Sequence, residues 1–488
     1  MYRFTYPAEG YDETALDKKI ILNLIMKHFG LVQNKYKCRD YYEGRHDILS
    51  RSRKEGLPDV KIVCNHAKDI TDTATGYFMG NPITYSNTDD TDITPLLSAF
   101  DDADVDDVDA DNAQDMSIYG LAYEYVYAKK DEPKPALKNL SPLHTFIVVD
   151  DSIEENELFG VYYWPKKDDA KDIKTWVATI CTEHYNWTLN IDNDVKAANT
   201  LTETPEPHNF GGIQIIEYLN NKEGMGDFEQ QIPLIDAYNT LMSDRVTDKE
   251  QFIDAILVLY GSILGDDEEE TKEAQEELRK KKLLELPADA KAEYLTRAMD
   301  EAGAETLRKA IKEDIYNFSH VPNLTDENFA GNTSGVAMEY KLLGLEMITK
   351  VKERYYRRGL QKRIILFCNF LNMQAMAQDA SSVVPTFARS LPKNLQELAQ
   401  TLYNMKDLVS MKTLLKQIPF VEDPDTEIEE LTKQKEEAIK QQQEMFAMGY
   451  NNPPGEDEPE EPEEPEEKKE PKEPKEPKEP KEAAGDKE

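Results

Sequence analysis

The stretch Val336 to Met373 contains no proline and only two glycines, Gly344 and Gly359. Its apolar residues Leu342, Leu345, Ile348, Tyr355, Leu360, Ile364, Phe367 and Leu371 recur mostly at three- and four-residue steps, the period of a helix with one buried side. Such a helix is roughly 57 Å long at about 1.5 Å per residue. A 100-residue domain is only about 26 Å across. The helix therefore has to be a structural spine, and a length of 488 residues predicts two to four units.

Upstream, Pro233 stands where a proline opens a helix, and the pattern predicts a helix from there to Phe252. A small insertion follows: a strand at Ala255–Leu264, an acidic helix at Asp266–Lys281, and strands at Lys282–Leu286 and Ala292–Thr296. A second helix, Gly303 to Phe318, returns. Two helices with a small β-containing module between them make an out-and-back excursion. The first 232 residues read as α+β. Helices are predicted at 14–29, ended by Gly30, at 33–50 and at 102–120. Gly76–Pro82 reads as a turn before a strand at Ile83–Tyr85. Tyr123–Tyr127, Phe146–Val149 and Gly160–Trp164 alternate in the manner of strands. After the spine come three helical segments: one opened by Pro392, one capped by Ser410, and one starting at Asp423-Pro424. Lys-Glu-Pro then repeats four times from Lys469 to Pro480, a composition that cannot bury a core, so the tail is expected to be disordered.

The formal net charge is −38, and the tail accounts for only part of it. A chain this acidic should not grip phosphates broadly; contact with nucleic acid needs a local patch or a deliberately repulsive surface. Four cysteines, none in a C-x-x-C pair, fit a reducing compartment and signal neither zinc nor redox chemistry. The acidic start, with Glu9, Asp12 and Glu13, is wrong for a signal peptide. The most apolar stretch, Ala255–Gly265, falls far short of the roughly 20 residues of a membrane helix, so a soluble protein made inside a cell is expected.

No motif for catalysis survives scrutiny. There is no Gly-Lys pair, hence no P-loop. Gly224-Met-Gly226 begins a dinucleotide fingerprint, but Glu229 replaces its third glycine. Gly331-Asn-Thr-Ser-Gly335 puts its serine one place late for a nucleophile elbow. Asp107-Val-Asp109-Ala-Asp111 opens like a calcium loop and then fails at Asn112 and Ile118. No cofactor, metal or enzymatic activity is expected. One basic run stands out on the spine: Lys350, Lys352, Arg354, Arg357, Arg358, Lys362 and Arg363. It is either a set of salt bridges to acidic neighbours or a patch where a phosphate or a partner is felt.

Several blocks, in this order, resemble the portal family of long-tailed phages of Gram-positive hosts. They are Asp40-Tyr-Tyr-Glu-Gly-Arg-His-Asp-Ile-Leu49, Asn65–Ile70, Gly76–Pro82, Ser117–Glu124, Leu234–Asn239, Asn328–Ala337, and Asp407–Ser410 with Pro419–Asp423. The resemblance covers roughly residues 14 to 448 and leaves out the Lys-Glu-Pro tail. It implies a mainly helical α+β portal architecture: a wing (1–232), a stem of two helices (233–253 and 300–321), a clip (254–299), a tunnel-side loop (322–335), the spine helix of wing and connector (336–390), and a helical crown (391–450) before the tail (451–488). It further implies a homo-oligomeric ring, usually of twelve copies, at the portal vertex of the capsid of a virion assembled in the host cytoplasm. Double-stranded DNA would pass through the ring. The large terminase, then head-completion or adaptor proteins, would dock on the clip, and scaffolding and major capsid proteins would contact the ring. Two sets of residues acquire roles from it. Asn323, Thr325, Asn328, Asn332, Thr333 and Ser334 would face the DNA tunnel, although Thr333 or Ser334 could simply cap the spine helix. Asp266, Asp267, Glu268, Glu269 and Glu270 would offer an acidic docking face on the clip, unless they merely solvate it. Lys350, Arg354, Arg357 and Arg358 remain the candidate basic patch. Another virion ring or adaptor protein without a packaging role is the rival reading. An enzyme hidden among the carboxylates is the other.

Overall fold

The computed structural model describes residues 3–52, 59–89, 91–130, 132–168, 173–191, 200–202, 204–252, 256–260, 272, 291–295, 301–324, 335–389, 395–406, 408–415, 418, 421 and 424–449. It falls into two units, Met1–Pro392 and Lys393–Glu488.

The first unit is built on a seven-stranded sheet. Its neighbours run Phe4–Tyr6, Thr145–Asp150, Glu157–Asp168, Ile173–Cys181, Tyr185–Ile191 and Glu206–Pro207, with Thr200–Leu201 added on Tyr185–Ile191. All pairs are antiparallel except the first. Period-two alternation sorts side chains between two faces. Phe146 and Val148 join Phe159, Val161 and Trp187 under the first helix, Lys18–Leu31. Ile147 and Val149 point the other way, against Tyr123, Leu140 and Ile215 of a three-stranded sheet. Both faces are covered, which is why Thr145–Asp150 is buried along its whole length.

The long helix is present as Gly335–Met373. Its C-terminal half buries Tyr356, Leu360, Ile364, Phe367 and Leu371 in one core, and its N-terminal half buries Leu342 and Leu345 in another. In the second unit the helices are Leu395–Met405, Met411–Leu415 and Pro424–Gly449. Ser410 receives the Thr413 N–H at 3.3 Å, the expected cap.

Three local expectations need correction. The first helix starts at Lys18 with Asp17 as its cap and runs through Gly30; the next, Gln33–Tyr42, follows almost at once. The expected helix to residue 50 stops at Tyr42, and Asp47–Ser50 is a single 3-10 turn. Gly76–Met79 is the last turn of a helix, His66–Met79, because Tyr77, Phe78 and Met79 all find buried sites there. The strand after it, Thr84–Asn87, pairs with Val383–Thr386, a strand not anticipated.

His28 sits in this frame as a buried neutral ring, its Nδ1 2.8 Å from the Tyr163 hydroxyl and its face 4.8 Å from the Phe146 ring. Burial, then the neighbouring His144, push its pKa from 6.5 down to about 3. The unfolded chain therefore takes up this proton near pH 6.5 while the folded chain resists until about pH 3. The stability involved is complete above pH 6.5 and is lost as pH falls through that window, by roughly 1.4 kcal/mol per unit. His28→Phe should flatten this acid limb. Urea midpoints at pH 7.5 and 4.5 should differ less in the variant than in the parent, and equal differences would remove His28 from the account.

Candidate functional site

The helix Ile232–Phe252 and the helix Glu301–Ser319 form the out-and-back pair. Arg245 on the first reaches Glu301 at 2.8 Å and Glu305 at 3.1 Å on the second. Arg308 grips Glu305 and donates to the Tyr238 hydroxyl at 3.0 Å. These two guanidinium groups, Arg308 first, hold the Glu305 carboxyl down to about 2. The pair is thus laced by ion pairs, while Ile235, Tyr238, Ile315 and Tyr316 share a core with Tyr41, Ala67 and Ile70.

A polar ladder fastens the first helix of the pair at its base. The backbone N–H groups of Cys64, Ile62 and Val60 donate to Asn239 Oδ1 (2.8 Å), Ser243 Oγ (3.0 Å) and Thr247 Oγ1 (3.3 Å). Four helix residues advance about 6 Å and two residues of extended chain about 6.6 Å, so an i, i+4 row of small polar side chains matches every second N–H of a segment laid alongside. Ser243 and Thr247 give their own hydroxyl protons to Asn239 and Ser243 carbonyls, which leaves the oxygens free to accept. Asn239 also donates to His46 Nδ1 at 2.8 Å, and His46 Nε2 lies 2.9 Å from the Tyr41 carbonyl, which accepts its proton. That arrangement assigns a neutral ring, and burial lowers its pKa.

Beyond the pair, Ile256–Tyr260 and Lys291–Leu295 are antiparallel, with Ile256 opposite Leu295 and Tyr260 opposite Lys291. Asp266, Asp267, Glu268, Glu269 and Glu270 fall between these strands in sequence and lie outside the described residues, as do the strand Lys282–Leu286 and, except for Lys272, the helix expected there. Of the residues expected to face a tunnel only Asn323 is described; Thr325, Asn328, Asn332, Thr333 and Ser334 lie outside, and so does the tail.

The basic run of the long helix is placed in full. Lys352 and Arg363 are buried: Lys352 meets Asp227, while Arg363 meets Asp109 at 2.6 Å and Glu124 through Nε at 2.9 Å. Lys350 lies 3.6 Å from Glu346, Arg357 2.8 Å from Glu353, and Lys362 pairs with Glu157. Arg354 and Arg358 are exposed, the latter 5.1 Å from the centre of the Tyr355 ring. The sequence reading missed the buried acids. Glu124 had a signal, a charge inside a strand whose neighbours are all apolar or aromatic. In the would-be calcium run, Asp109 points into the core while Asp107 and Asp111 face solvent, so the three carboxylates diverge. Gly226 allows a close backbone crossing, since a Cβ there would come under 3.0 Å from the Ser117 and Ile118 carbonyls, and Gly224 takes a left-handed turn at φ 67°. No helix among the described residues is long and apolar enough to cross a membrane.

The profile of the family "Phage portal protein, SPP1 Gp6-like" matches residues 27–441. The chain belongs to this portal protein family. The portal protein of Bacillus phage SPP1 is 24% identical over 406 residues, which cover 80% of this chain and 78% of that protein. The portal protein of Clostridium phage phiCD119 (strain Clostridium difficile/United States/Govind/2006) is 25% identical over 257 residues, 50% of this chain and 52% of that one. The matched span takes in the helix pair, its small strand module and the long helix, so all three are parts of the portal-family region.

Proposed function

We propose that the chain is the subunit of a portal ring, usually of twelve copies, at one vertex of a tailed-phage capsid, and that double-stranded DNA enters and leaves through its channel. The family match over residues 27–441 carries the reading. In it, Ile232–Phe252 and Glu301–Ser319 are the stem, the strands Ile256–Tyr260 and Lys291–Leu295 belong to the clip, Pro322–Gly335 is the tunnel-side loop, and the helices after Pro392 form the crown. The electrostatics suit the task. Duplex DNA carries about one charge per 1.7 Å, and a channel of acidic subunits repels it from the wall. Small polar residues such as Asn323, Asn328 and Thr333 would touch phosphate oxygens without holding them. The large terminase supplies the ATP-driven step, docks on the clip at Asp266–Glu270, and gives way to head-completion proteins. Scaffolding and major capsid proteins surround the ring during assembly in the host cytoplasm.

Negative-stain images of the purified chain should show rings with a central hole, and a folded, strictly monomeric protein at micromolar concentration would overturn the reading. Rings with Asp266, Asp267, Glu268, Glu269 and Glu270 changed to Lys should still assemble but package DNA poorly in a cell-free assay. Normal packaging would leave those acids with a solvating role alone.

A further inference from the structure

Two stretches of this chain segregate charge. From Lys18 to Arg39 there are six basic residues and no acid, in a protein with 96 acids against 58 bases. From Asp69 to Ala128 there are fourteen acids and no Lys or Arg.

The first stretch lies on two consecutive helices, Lys18–Leu31 and Gln33–Tyr42, joined at Val32. Lys35, Lys37 and Arg39 are matched to acids of the same chain, namely Glu229, Asp47 and Asp40. Lys19 and Lys27 face solvent. Beside them the same helix leaves Met26 75%, Phe29 49% and Leu31 51% exposed. Large apolar side chains grouped at one helix end and rimmed by ammonium groups have the composition of an interface anchor.

The second stretch puts its acids at the N-terminal end of the helix Val105–Tyr119 and just before it. Asp101, Asp107 and Asp111 are exposed there, whereas Asp102 is bridged to Lys134 and Asp109 to Arg363. Partial burial and then the crowding of neighbouring carboxylates raise the pKa of Asp106 and Asp111, so within one copy this face is short of cations. The other end of the same helix, Ile118 and Tyr119, shares a core with Cys38 and Tyr41 of the basic segment. Along the helix, Asp111 lies about 10 Å and Asp107 about 16 Å from Ile118. Within one copy no ion pair among the described residues joins Lys19 or Lys27 to Asp101, Asp107 or Asp111.

A ring is assembled from heterologous contacts, in which one face of each copy meets a different face of the next. We propose, on the strength of the ring reading above, that the apolar and basic segment Lys18–Arg39 of one copy docks on the acidic helix end Asp101–Asp111 of the next. Opposite charges set the register and speed encounter, while Met26, Phe29 and Leu31 leave water. Duplex DNA fits this segment less well, because phosphates offer nothing to those three apolar side chains.

The test is a charge exchange in the full-length chain, read by sedimentation velocity and negative-stain imaging. Lys19→Glu/Lys27→Glu should raise the concentration for half-assembly by about tenfold or more, and so should Asp101→Lys/Asp107→Lys/Asp111→Lys. An equimolar mixture of the two variants restores opposite charges at every contact and should return rings, as should one chain carrying all five changes. Recovery in the mixture also shows that each variant is folded. Rings formed normally by either variant alone, or no recovery on mixing, would overturn the pairing. So would unchanged rings that have lost duplex binding in a gel-shift assay, which would assign the basic segment to DNA. Failure of the unaltered chain to form any ring would overturn the portal reading, and this pairing with it.

Discussion

Replacing Arg363 by Met should destabilise the first unit by about 3–5 kcal/mol, read as a fall in the urea midpoint. Arg363 is fully buried between Asp109 and Glu124. Tyr356 donates to Asp109 at 2.6 Å, Tyr218 to Glu124 at 3.2 Å, and Asn112 to Glu124 at 2.9 Å. Without the guanidinium, two carboxylates stay in the core with no cation. Even so, the network is not fully satisfied: Arg363 Nη1 and Asp109 Oδ2 lack hydrogen-bond partners among the described residues. Its value therefore lies in matching the long helix to the helix Val105–Tyr119 and the strand Leu121–Ala128, more than in net energy. Accordingly, Arg363→Met combined with Asp109→Asn and Glu124→Gln should recover most of the loss. A midpoint for Arg363→Met within about 0.5 kcal/mol of the parent would sink this account.

Two glycines of the long helix should respond to alanine with opposite signs. A Cβ on Gly359 would come within 3.0 Å of three atoms of the Tyr218 ring. That ring cannot retreat: it is fully buried, stacked on Tyr356 at 4.4 Å, and bonded to Glu124. Gly359→Ala gains about 1 kcal/mol of helix propensity and pays about 1–3 kcal/mol or more for the overlap, so a net loss is expected. At Gly344 the nearest atom to an added Cβ is the His320 carbonyl oxygen at 3.5 Å, an ordinary contact. Gly344→Ala should stabilise by about 0.5–1 kcal/mol. Thermal melts of the two variants beside the parent would decide the matter; a shared sign would show that propensity alone governs both positions.

The long helix, the two helices of the excursion and the alternating strands of the first half could be read from residues because their signals are local. Freedom from proline, a 3.6-residue apolar period and a period-two alternation each act within a few turns of chain. Pro233 near a helix start and Ser410 at a cap are equally local. The family resemblance was legible for a related reason, since its blocks depend on order along the chain and not on contacts. Other features belong to tertiary structure. Gly30 and the glycine of Gly76–Met79 look like helix ends, yet both lie inside helices, because burial of Ile25, His28, Tyr77 and Phe78 outweighs about 1 kcal/mol of glycine propensity. Val383–Thr386 became a strand only because Thr84–Asn87, distant in sequence, lies beside it. The basic run of the long helix looked uniform, and packing divided it: Lys352 and Arg363 went into the core against Asp227, Asp109 and Glu124, while Arg354 and Arg358 stayed in water. Which charge is buried depends on acids brought from distant strands and helices, and burying a cation is favourable only where those acids already wait.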